Sequence, residues 1–407
     1  MRVAWLACCA LGLAPIAHAQ DLSFNDALAR ASDGPRIEAG RASVRAAELA
    51  IGPAGQLPDP ELVLGLENVP LSGVDRYRLD RDEMTMQRIG VMQEMPSGLG
   101  ARRSMADAEA GRAGAGLAIA ELEARLGAAQ AWINLYYVER RGEALRTLAE
   151  EASAAAAAAR GRLAAGAGTV DETIAVEIEV ARMADRLAEL EAARIRARSE
   201  LRRWIGDAAD QELDAAAPAF AIDPAQMRER LRRHPALGAY RAEIDAAEAG
   251  LAMARAERRP DWSWELSYGR RDPSFGDMAS IEVRVGLPLF QPWRQGPLVA
   301  ARRADVARAE ADRTAAEREY AAALDAQLAE YSALSANLER ARSLRLPLAT
   351  QRANAAAGAF AAGRANAVQL IDARRARLEA ELETIELEER RALVGAALTM
   401  QYGESLP

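Results

Sequence analysis

Apolar residues recur at helical spacing over most of this chain. Residues 102–160 contain no proline, and their apolar positions advance in steps of four and three: Leu122, Leu126, Ala129, Ile133 and Tyr136. This spacing places the apolar side chains along one seam of a long α-helix. Residues 174–204 continue the pattern after a break, and residues 298–344 and 368–398 show it again. The sequence therefore predicts two pairs of long helices.

Two segments of the second half alternate with period two, as β-strands do. In residues 262–268 the two faces are Trp262, Trp264, Leu266 and Tyr268 against Ser263, Glu265 and Ser267. In residues 280–287 they are Ile281, Val283, Val285 and Leu287 against Ser280, Glu282, Arg284 and Gly286. Strands with one apolar and one charged face are typical of transmembrane β-sheets, and also of soluble amphipathic hairpins.

The first half contains a weaker version of the same hairpin. Residues 61–67 place Leu62, Leu64 and Leu66 opposite Glu61, Gly65 and Glu67, whereas the return strand, residues 84–95, alternates less regularly. Two such hairpins at equivalent places favour the membrane interpretation over the soluble one. Four strands cannot close a barrel, and lipid does not tolerate open sheet edges. A membrane barrel would therefore have to be shared between subunits.

The elements recur in the same order at a spacing of about 200 residues, as in a duplicated chain. Three landmarks match: Pro35-Arg36-Ile37 with Pro235-Ala236-Leu237, Pro58-Asp59 with Pro260-Asp261, and Ala164-Ala165-Gly166 with Ala361-Ala362-Gly363. Unrelated Ala-rich helices would resemble each other in composition but would not share prolines and glycines in one order. We predict a first structural repeat over residues 20–208 and a second over residues 209–407, each with a helix, a strand hairpin and a long helix pair.

The first 19 residues have the three parts of a secretory signal peptide. Arg2 supplies the positive charge, residues 3–16 are apolar, and Ala17-His18-Ala19 forms a small-x-small cleavage site. Cys8 and Cys9 lie too early for a lipoprotein cleavage site, so we expect no lipid attachment. No later stretch of about 18 apolar residues is available for a transmembrane helix. Export therefore leads to the periplasm or, through the strands, to the outer membrane.

Composition and charge exclude several classes of function. The formal net charge of −8 and the pI near 5.3 do not favour a nucleic-acid surface. No nucleophile–base pair and no phosphate-binding glycine loop is visible, so we expect neither an enzyme nor a cofactor. After residue 19 the chain has no cysteine and a single histidine, His234. We therefore predict no soft-ligand transition-metal site.

The exported part of the chain resembles the TolC-type outer-membrane efflux factor family. The second half carries the specific likeness in residues 234–237, 254–261 and 285–290, and in Phe360-Ala361-Ala362-Gly363 at the start of the last turn. The resemblance implies a fold that is mainly α with a membrane β-barrel, in which four strands per protomer contribute to a shared trimeric barrel and long helical hairpins form a periplasmic tunnel. It also implies a homotrimer that works with a periplasmic adaptor and an inner-membrane RND-type pump.

Motifs of the first half resemble the branch of this family that serves heavy-metal RND cation exporters: Leu57-Pro58-Asp59-Pro60-Glu61-Leu62, Glu67-Asn68-Val69-Pro70 and residues 90–96. The methionines of residues 84–95 could contact copper, but flexible apolar filler is the favoured interpretation. We expect any exported metal to pass through the protein rather than be held by it.

The resemblance also implies a gate at the periplasmic end of the tunnel, in the inner helix pair. Asp372 matches a gate aspartate position and Gln369 replaces a second expected acid, while Phe360 and Gly363 stand at the aromatic and turn positions. Three copies of Asp372 around one axis would favour cations and resist closure; the alternative is that Asp372 is a solvated helix residue. The turn of the outer pair, with Gly166, Asp171 and Glu172, would contact the adaptor.

The membrane interpretation assigns each strand face. Lipid would contact Trp262, Trp264, Leu266, Tyr268, Ile281, Val283 and Val285, and the lumen would contain Glu265, Glu282 and Arg284. The protein would then be an outer-membrane channel subunit, a passive conduit from adaptor and pump to the exterior. The alternatives are a periplasmic coiled-coil adaptor or structural protein, and a TolC-like exit duct for drugs or for a type I secretion system.

Overall fold

The computed structural model describes residues 21–403. The predicted signal peptide lies outside the described residues, as do Cys8 and Cys9. The described helices are α1 (Phe24–Ser32), α2 (Pro35–Ala54), α3 (Leu99–Ala164), α4 (Val170–Ile205), α5 (Pro224–Arg230), α6 (Pro235–Ala256), α7 (Gln295–Arg340), α8 (Leu346–Ala361) and α9 (Ala367–Tyr402). The described strands are β1 (Glu61–Glu67), β2 (Met86–Met95), β3 (Trp262–Arg270) and β4 (Met278–Val285). Short 3-10 helices cover Gly206–Asp210 and Leu231–Arg233. The prediction of two long helix pairs and two strand hairpins is confirmed.

The chain divides into two compact units. One contains the residues up to Ser32 together with Ala124–Ala221 and Glu330–Ala397. We call it the turn unit, because it contains the turns of both long helix pairs. The other contains Asp33–Glu123, Ile222–Ala329 and the residues from Leu398 onward, and we call it the sheet unit. Both units draw on both halves of the sequence, and the repeat boundary after residue 208 stays a prediction.

The two long helix pairs of the turn unit close through the same kind of turn. Gly166 and Gly363 have positive φ angles of 71° and 70°, which glycine reaches without a steric penalty. In the first turn Gly166 N–H donates to Leu163 O at 3.0 Å and Ala167 N–H donates to Arg162 O at 2.8 Å, and the second turn repeats both bonds around Gly363. This Schellman arrangement satisfies the last carbonyl groups of the incoming helix.

One long pair is interrupted where the other is continuous. α3 is unbroken, but a π-helical turn, Ala341–Arg345, separates α7 from α8, and Leu346 N–H donates to Ala341 O five residues back. Pro347 follows at once, lacks an N–H, and in a regular helix its ring would clash with the carbonyl four residues earlier. A wider turn avoids the clash, so we attribute the interruption to Pro347. No helix among residues 21–403 has the length and apolar character needed to cross a membrane.

The four strands form one antiparallel sheet in the order β1-β2-β3-β4. β2, whose alternation is the weakest, begins two residues later than predicted. The residues before it close the preceding loop, since Thr85 Oγ1 donates to Asn68 O at 3.0 Å and Asn68 Nδ2 donates to Met84 O at 3.2 Å. β1 and β4 each have one neighbour among the described strands, so both outer edges of the sheet are unpaired.

An aromatic core in the turn unit was not predicted from the sequence. Trp132 on α3 is fully buried, stacks on Tyr136 with ring centroids 5.3 Å apart, and meets Phe24 of α1 edge-on at 5.6 Å. Its indole N–H donates to Leu22 O at 3.1 Å, the kind of partner that a buried indole requires. Leu22 also forms a parallel bridge with Leu213. Helix α1 was missed because nine residues show too little periodicity to detect.

Candidate functional site

The strand register gathers apolar side chains from all four strands on one face of the sheet. One row across the strands is Leu62, Val91, Leu266 and Ile281, and the next is Leu64, Ile89, Tyr268 and Ala279. These side chains are exposed, as are Trp262, Val283 and Val285, whereas Trp264 is half-buried. Large contiguous apolar surfaces are uncommon on proteins that face only water. The predicted apolar faces of the two hairpins therefore join into one continuous surface.

The opposite face of the sheet carries an ion network. Glu265 on β3 is buried, and Arg88 on β2 donates hydrogen bonds to it and to Glu67 on β1. Arg284 on β4 lies 3.6 Å from a Glu265 oxygen and donates to Glu282 at 2.7 Å. Two guanidinium groups thus pair with three carboxylates across the four strands. Because charge-assisted hydrogen bonds are the stronger ones, this network ties each strand to its neighbour.

Arg88 is a central member of this network that the sequence interpretation missed. Gly90 on the same face permits the close approach of β3, because a β-carbon there would lie 2.8 Å from the Ser267 side chain. The signal was present, since Arg88 and Gly90 alternate with the exposed Ile89 and Val91. It was obscured because glutamines also lie in the apolar register of this strand.

In the turn unit, one carboxylate links the two turns. Glu172 on α4 is buried and accepts a hydrogen bond at 2.6 Å from Ala367 N–H, the first residue of α9. Thr169 Oγ1 accepts from Glu172 N–H at 3.1 Å, as in a capping box. The glutamate of a capping box normally returns to its own helix, but here it caps the neighbouring one, where the helix dipole favours a negative charge. The predicted adaptor-contact turn thus exposes Gly166 and Asp171 and buries Glu172.

Carboxylates of the first pair also hold arginines of α9. Glu179 on α4 is buried and accepts from Arg375 Nε at 2.9 Å, with a second contact to Nη2 at 2.6 Å. This hydrogen-bonded carboxylate holds the pKa of the Arg375 guanidinium above its ordinary value. Glu151 on α3 lies 3.2 Å from Arg377 and 3.5 Å from Arg374. The first pair therefore supplies negative charge along the face that α9 packs against.

The predicted gate residues Asp372 and Gln369 both lie exposed in the first turns of α9. Asp372 has a carboxylate oxygen 3.4 Å from Arg375 Nη1, which offsets part of its charge. Gln369 Oε1 accepts from Asn366 N–H at 3.1 Å, and Asn366 Oδ1 accepts from Gln369 N–H at 2.9 Å. This reciprocal pair is a capping box. The glutamine that replaces an expected acid therefore has a local role in starting α9.

The predicted gate aromatic, Phe360, is partly buried between the two helix pairs. It packs against a cluster of small and branched residues: Ala152, Ala155, Ala156, Ala159, Val176, Ala367 and Ile371. The Arg162 guanidinium carbon lies 5.3 Å from the centroid of its ring, a cation–π distance. Alanine side chains allow this close packing of helices. Phe360 thus holds the end of α8 against α3 and α4.

The π-helical turn contributes to a buried ion cluster further along the turn unit. Glu388 on α9 is buried and accepts from Arg140 at 2.8 Å and from Arg342, inside the π turn, at 2.6 Å. The cluster borders a cavity of about 210 Å³. Burial, reinforced by the Glu388 carboxylate, raises the pKa of Tyr137 to about 12. The phenol therefore stays neutral at physiological pH.

The only histidine in residues 21–403 has a structural environment in the sheet unit. His234 is buried, its Nδ1 accepts from Ala236 N–H at 3.2 Å, and its ring lies near those of Tyr320 and Tyr402. Burial lowers the pKa of His234. Over the same residues, no three His, Cys, Asp or Glu side chains are grouped as a metal site would need.

Comparison with known proteins connects this arrangement to a family. Residues 227–404 match the family described as outer membrane efflux protein. The cobalt-zinc-cadmium resistance protein CzcC of Cupriavidus metallidurans is 33% identical over 242 residues, which cover 58% of this chain and 56% of that protein. The match thus spans little more than half of the relative's length.

Solved structures match over nearly the whole chain. The outer membrane protein VceC of Vibrio cholerae has a TM-score of 0.78 at 17% identity, covering 93% of this chain and 96% of that one. CusC, described in terms of transmembrane channel formation, has a TM-score of 0.74 at 14% identity, covering 95% and 93%. At these identities the likeness shows the fold. The chain therefore has the fold of these outer-membrane proteins, and its residues 227–404 match the outer membrane efflux protein family.

Proposed function

We propose that the protein is an outer-membrane channel subunit of a tripartite efflux system, a passive conduit and not an enzyme. It acts as a homotrimer in which four strands per protomer contribute to one shared barrel and the long helices form a tunnel in the periplasm. A periplasmic adaptor and an inner-membrane RND-type pump deliver the substrate. The match of residues 227–404 to the outer membrane efflux protein family supports this assignment.

The two faces of the sheet carry the proposal. One face is apolar and exposed across all four strands, the other carries the Arg88–Glu265 network, and both edge strands lack a partner among the described strands. In water the apolar face and the free edges would favour aggregation. In lipid a single copy would leave the backbone groups of β1 and β4 unsatisfied. Closing the sheet with further copies of the chain removes both difficulties.

The oligomer can be tested in detergent-solubilised outer membranes. We expect a trimer that resists dissociation until it is heated, and ion conductance when the protein is added to planar bilayers. Val283→Arg should disfavour insertion by about 2–4 kcal/mol, the range for a cation on the lipid side of a barrel. Ser280→Arg, on the opposite face of β4, is the matched control and should insert normally. Recovery of the unsubstituted protein in the soluble periplasmic fraction would instead support the adaptor alternative.

We propose divalent heavy-metal cations as the substrate class, on the strength of the CzcC likeness. A deletion strain should lose resistance to cobalt, zinc or cadmium and keep resistance to dyes and antibiotics. The reverse outcome would favour the drug duct, and a defect confined to an exported protein would favour a type I secretion system.

We propose that the α8–α9 turn forms the periplasmic gate, with Asp372, Gln369, Phe360 and Gly363. The exposed carboxylate of Asp372 supports this role, while Gln369 and Phe360 support it by positioning α9 and α8. Asp372→Asn should reduce the cation selectivity of single channels. Asp171→Asn, an exposed acid of the other turn, is the control and should leave selectivity unchanged.

The α3–α4 turn is the proposed adaptor contact. Gly166 and Asp171 are exposed there, and Glu172 holds the turn in place through Ala367. Crosslinking from Asp171→Cys should capture the adaptor, whereas crosslinking from an exposed residue of β4 should not. The two-repeat organisation, residues 20–208 and 209–407, belongs to the same proposal and predicts quasi-equivalent places for the two hairpins in the barrel wall.

A further inference from the structure

We propose that residues 287–293, between β4 and α7, insert into the lipid headgroup zone at the periplasmic edge of the membrane. We call this segment the anchor loop. The inference rests on the proposed channel function and extends its lipid contact beyond the sheet. The partner of the anchor loop is the phospholipid interface, and a second copy of the chain is the competing partner.

The anchor loop exposes large apolar side chains at an unusual density. The exposed fractions are 68% for Leu287, 71% for Leu289, 67% for Phe290 and 79% for Trp293. A cluster of this kind marks an interaction site when it is contiguous. Removing four such side chains from water is favourable by roughly 1.5–3 kcal/mol each when burial is complete, and less at an interface.

The exposure of these side chains is imposed by a folded backbone. Gly286 N–H donates to Asp261 O at 2.8 Å, which extends the pairing of β4 by one residue. Trp293 N–H then donates to Phe290 O at 3.1 Å, and Gln291 Nε2 donates to Arg258 O at 3.1 Å. The loop is therefore braced from both ends. A preformed loop binds with less loss of conformational entropy than a flexible one.

The anchor loop continues the apolar face of the sheet. Val285 pairs with Trp262 at the end of β4, and Leu287 follows two residues later, where the alternation of the strand would place the next apolar side chain. The apolar row that begins at Ile281 thus runs off the sheet into the loop. Tryptophan and other aromatic residues are enriched where a membrane meets water. Trp293, immediately before the exposed Arg294, has the neighbours expected of a residue at that boundary.

The corresponding junction in the first half lacks this feature. Residues 96–98, between β2 and α3, are only partly exposed and contain no large apolar side chain. Ser97 there is tied down, since its N–H and its hydroxyl donate to Asp261 Oδ1 at 2.7 and 2.8 Å. Of the two junctions between a hairpin and a long helix within residues 21–403, only the second therefore forms an anchor loop, and a trimer would place three such loops around the barrel.

Spin labels can locate the loop because residues 21–403 contain no cysteine. Leu289→Cys and Phe290→Cys, each labelled with a nitroxide in proteoliposomes of phosphatidylcholine, would be tested for relaxation by oxygen and by an aqueous nickel complex. Val283→Cys on the apolar face of β4 and Ala307→Cys on an exposed side of α7 are the controls. We expect oxygen-to-nickel accessibility ratios at 289 and 290 that are several-fold above that at 307 and below that at 283.

The controls separate this inference from the channel function. Ratios at 289 and 290 equal to that at 307, with a lipid signal at 283, would overturn the anchor and leave the channel intact. Shielding from both reagents at 289 and 290 would show a contact with another copy and overturn the anchor as well. An aqueous signal at 283 would mean that the channel proposal itself fails. Quenching of tryptophan fluorescence by brominated lipid that decreases in Trp293→Phe, beyond the contribution of Trp262 and Trp264 on the sheet, is the independent readout expected of an inserted loop.

Discussion

The two halves of the chain build the same elements in the same order, but they stabilise them differently. In the sheet unit, α2 begins after Gly34 with no side-chain hydrogen bond at its start, whereas α6 begins after His234, whose imidazole accepts from the helix. In the turn unit, α3 is continuous, whereas α7 and α8 are separated by the π turn before Pro347. Equivalent elements of the two halves therefore need not have equivalent stability.

The two turns show the clearest contrast. Gln369 caps its own helix, while the corresponding acid of the first turn, Glu172, reaches across to cap α9. Glu179 and Glu151 likewise hold arginines of α9. The first pair is thus continuous and supplies the carboxylates of these contacts. The second pair is interrupted, and its helix α9 supplies the N–H and guanidinium groups that the carboxylates bind.

The largest expected effect tests whether continuity of the first pair matters. Glu150 lies as far before Gly166 as Pro347 lies before Gly363, and its side chain is exposed. Glu150→Pro should destabilise the protein by about 3 kcal/mol or more, because an interior proline removes a hydrogen bond and clashes with the preceding turn. Urea denaturation followed by helical circular dichroism would measure the loss.

Glu150→Ala is the control for the side chain and should be within about 0.5 kcal/mol of the unsubstituted protein. The reciprocal change, Pro347→Ala, should slow amide hydrogen exchange across residues 341–347 by allowing a regular helix. If Glu150→Pro were tolerated as well as Pro347→Ala, the contrast between the two pairs would be wrong.

The next effect concerns the buried link from Glu179 to Arg375. Glu179→Gln keeps the shape but removes the charge, and it should cost about 2 kcal/mol, the scale for hydrogen bonds to charged groups in a buried setting. Glu177→Gln, in an exposed pair with Arg160 at 3.1 Å, should cost no more than about 0.5 kcal/mol. Shifts of the urea midpoint in the two variants give the comparison, and equal shifts would contradict it.

A smaller and more local effect distinguishes the two turns. Glu172→Ala should cost about 1–2 kcal/mol and accelerate exchange of the Ala367 amide, whose acceptor it removes. Gln369→Ala should cost about 0.5–1 kcal/mol and expose the Asn366 amide instead. Residue-resolved hydrogen exchange measures the exchange rates of both amides. Faster exchange at Ala367 in both variants would mean that the turns are not capped separately.

The smallest expected effect is a pH dependence of the protein's stability, which we expect from His234 in the second half. Because burial lowers the folded-state pKa of His234, the unfolded chain binds the proton more readily. Stability from this site is complete above the ordinary histidine pKa of about 6.5 and declines as the pH falls toward the folded pKa. The rings that face His234, Tyr320 and Tyr402, stay neutral in this window.

Thermal unfolding measured between pH 7.5 and 5.5 should therefore show a falling midpoint. His234→Asn retains an oxygen acceptor for Ala236 N–H but has no proton to bind, so its midpoint should change less over the same range. An identical pH profile for both proteins would assign the effect to other groups.

Local elements were predictable where their signals are local. The alternation of Trp262 to Tyr268 predicted β3, and the Gly166 and Gly363 turns followed from their matching sequences. The position of β2 was predicted, but the place of Arg88 in the ion network was not. Glutamines in the apolar register of this strand make its alternation irregular. The apolar face was recognised strand by strand, and its continuity across four strands came only from the register.

The contacts of the candidate gate residues were harder to predict from the sequence. Asp372 was singled out by resemblance, and its pairing with Arg375 was not foreseen. Phe360 was expected at a gate and packs between helix pairs, while Gln369 was considered as a missing acid and serves as a cap. The capping signals Thr-x-x-Glu and Asn-x-x-Gln stood in the sequence, but they do not say which helix a side chain will reach.

By itself the sequence determined the periods of the helices and strands and the positions of the two glycine turns. These depend on residues a few positions apart, whose geometry the backbone sets directly. Only the tertiary structure decided which carboxylate meets which donor. Arg88 and Glu265 are 177 residues apart, and Glu172 and Ala367 are 195 apart. Such pairs form because packing of distant elements brings them together and burial removes competing water, which no local pattern records.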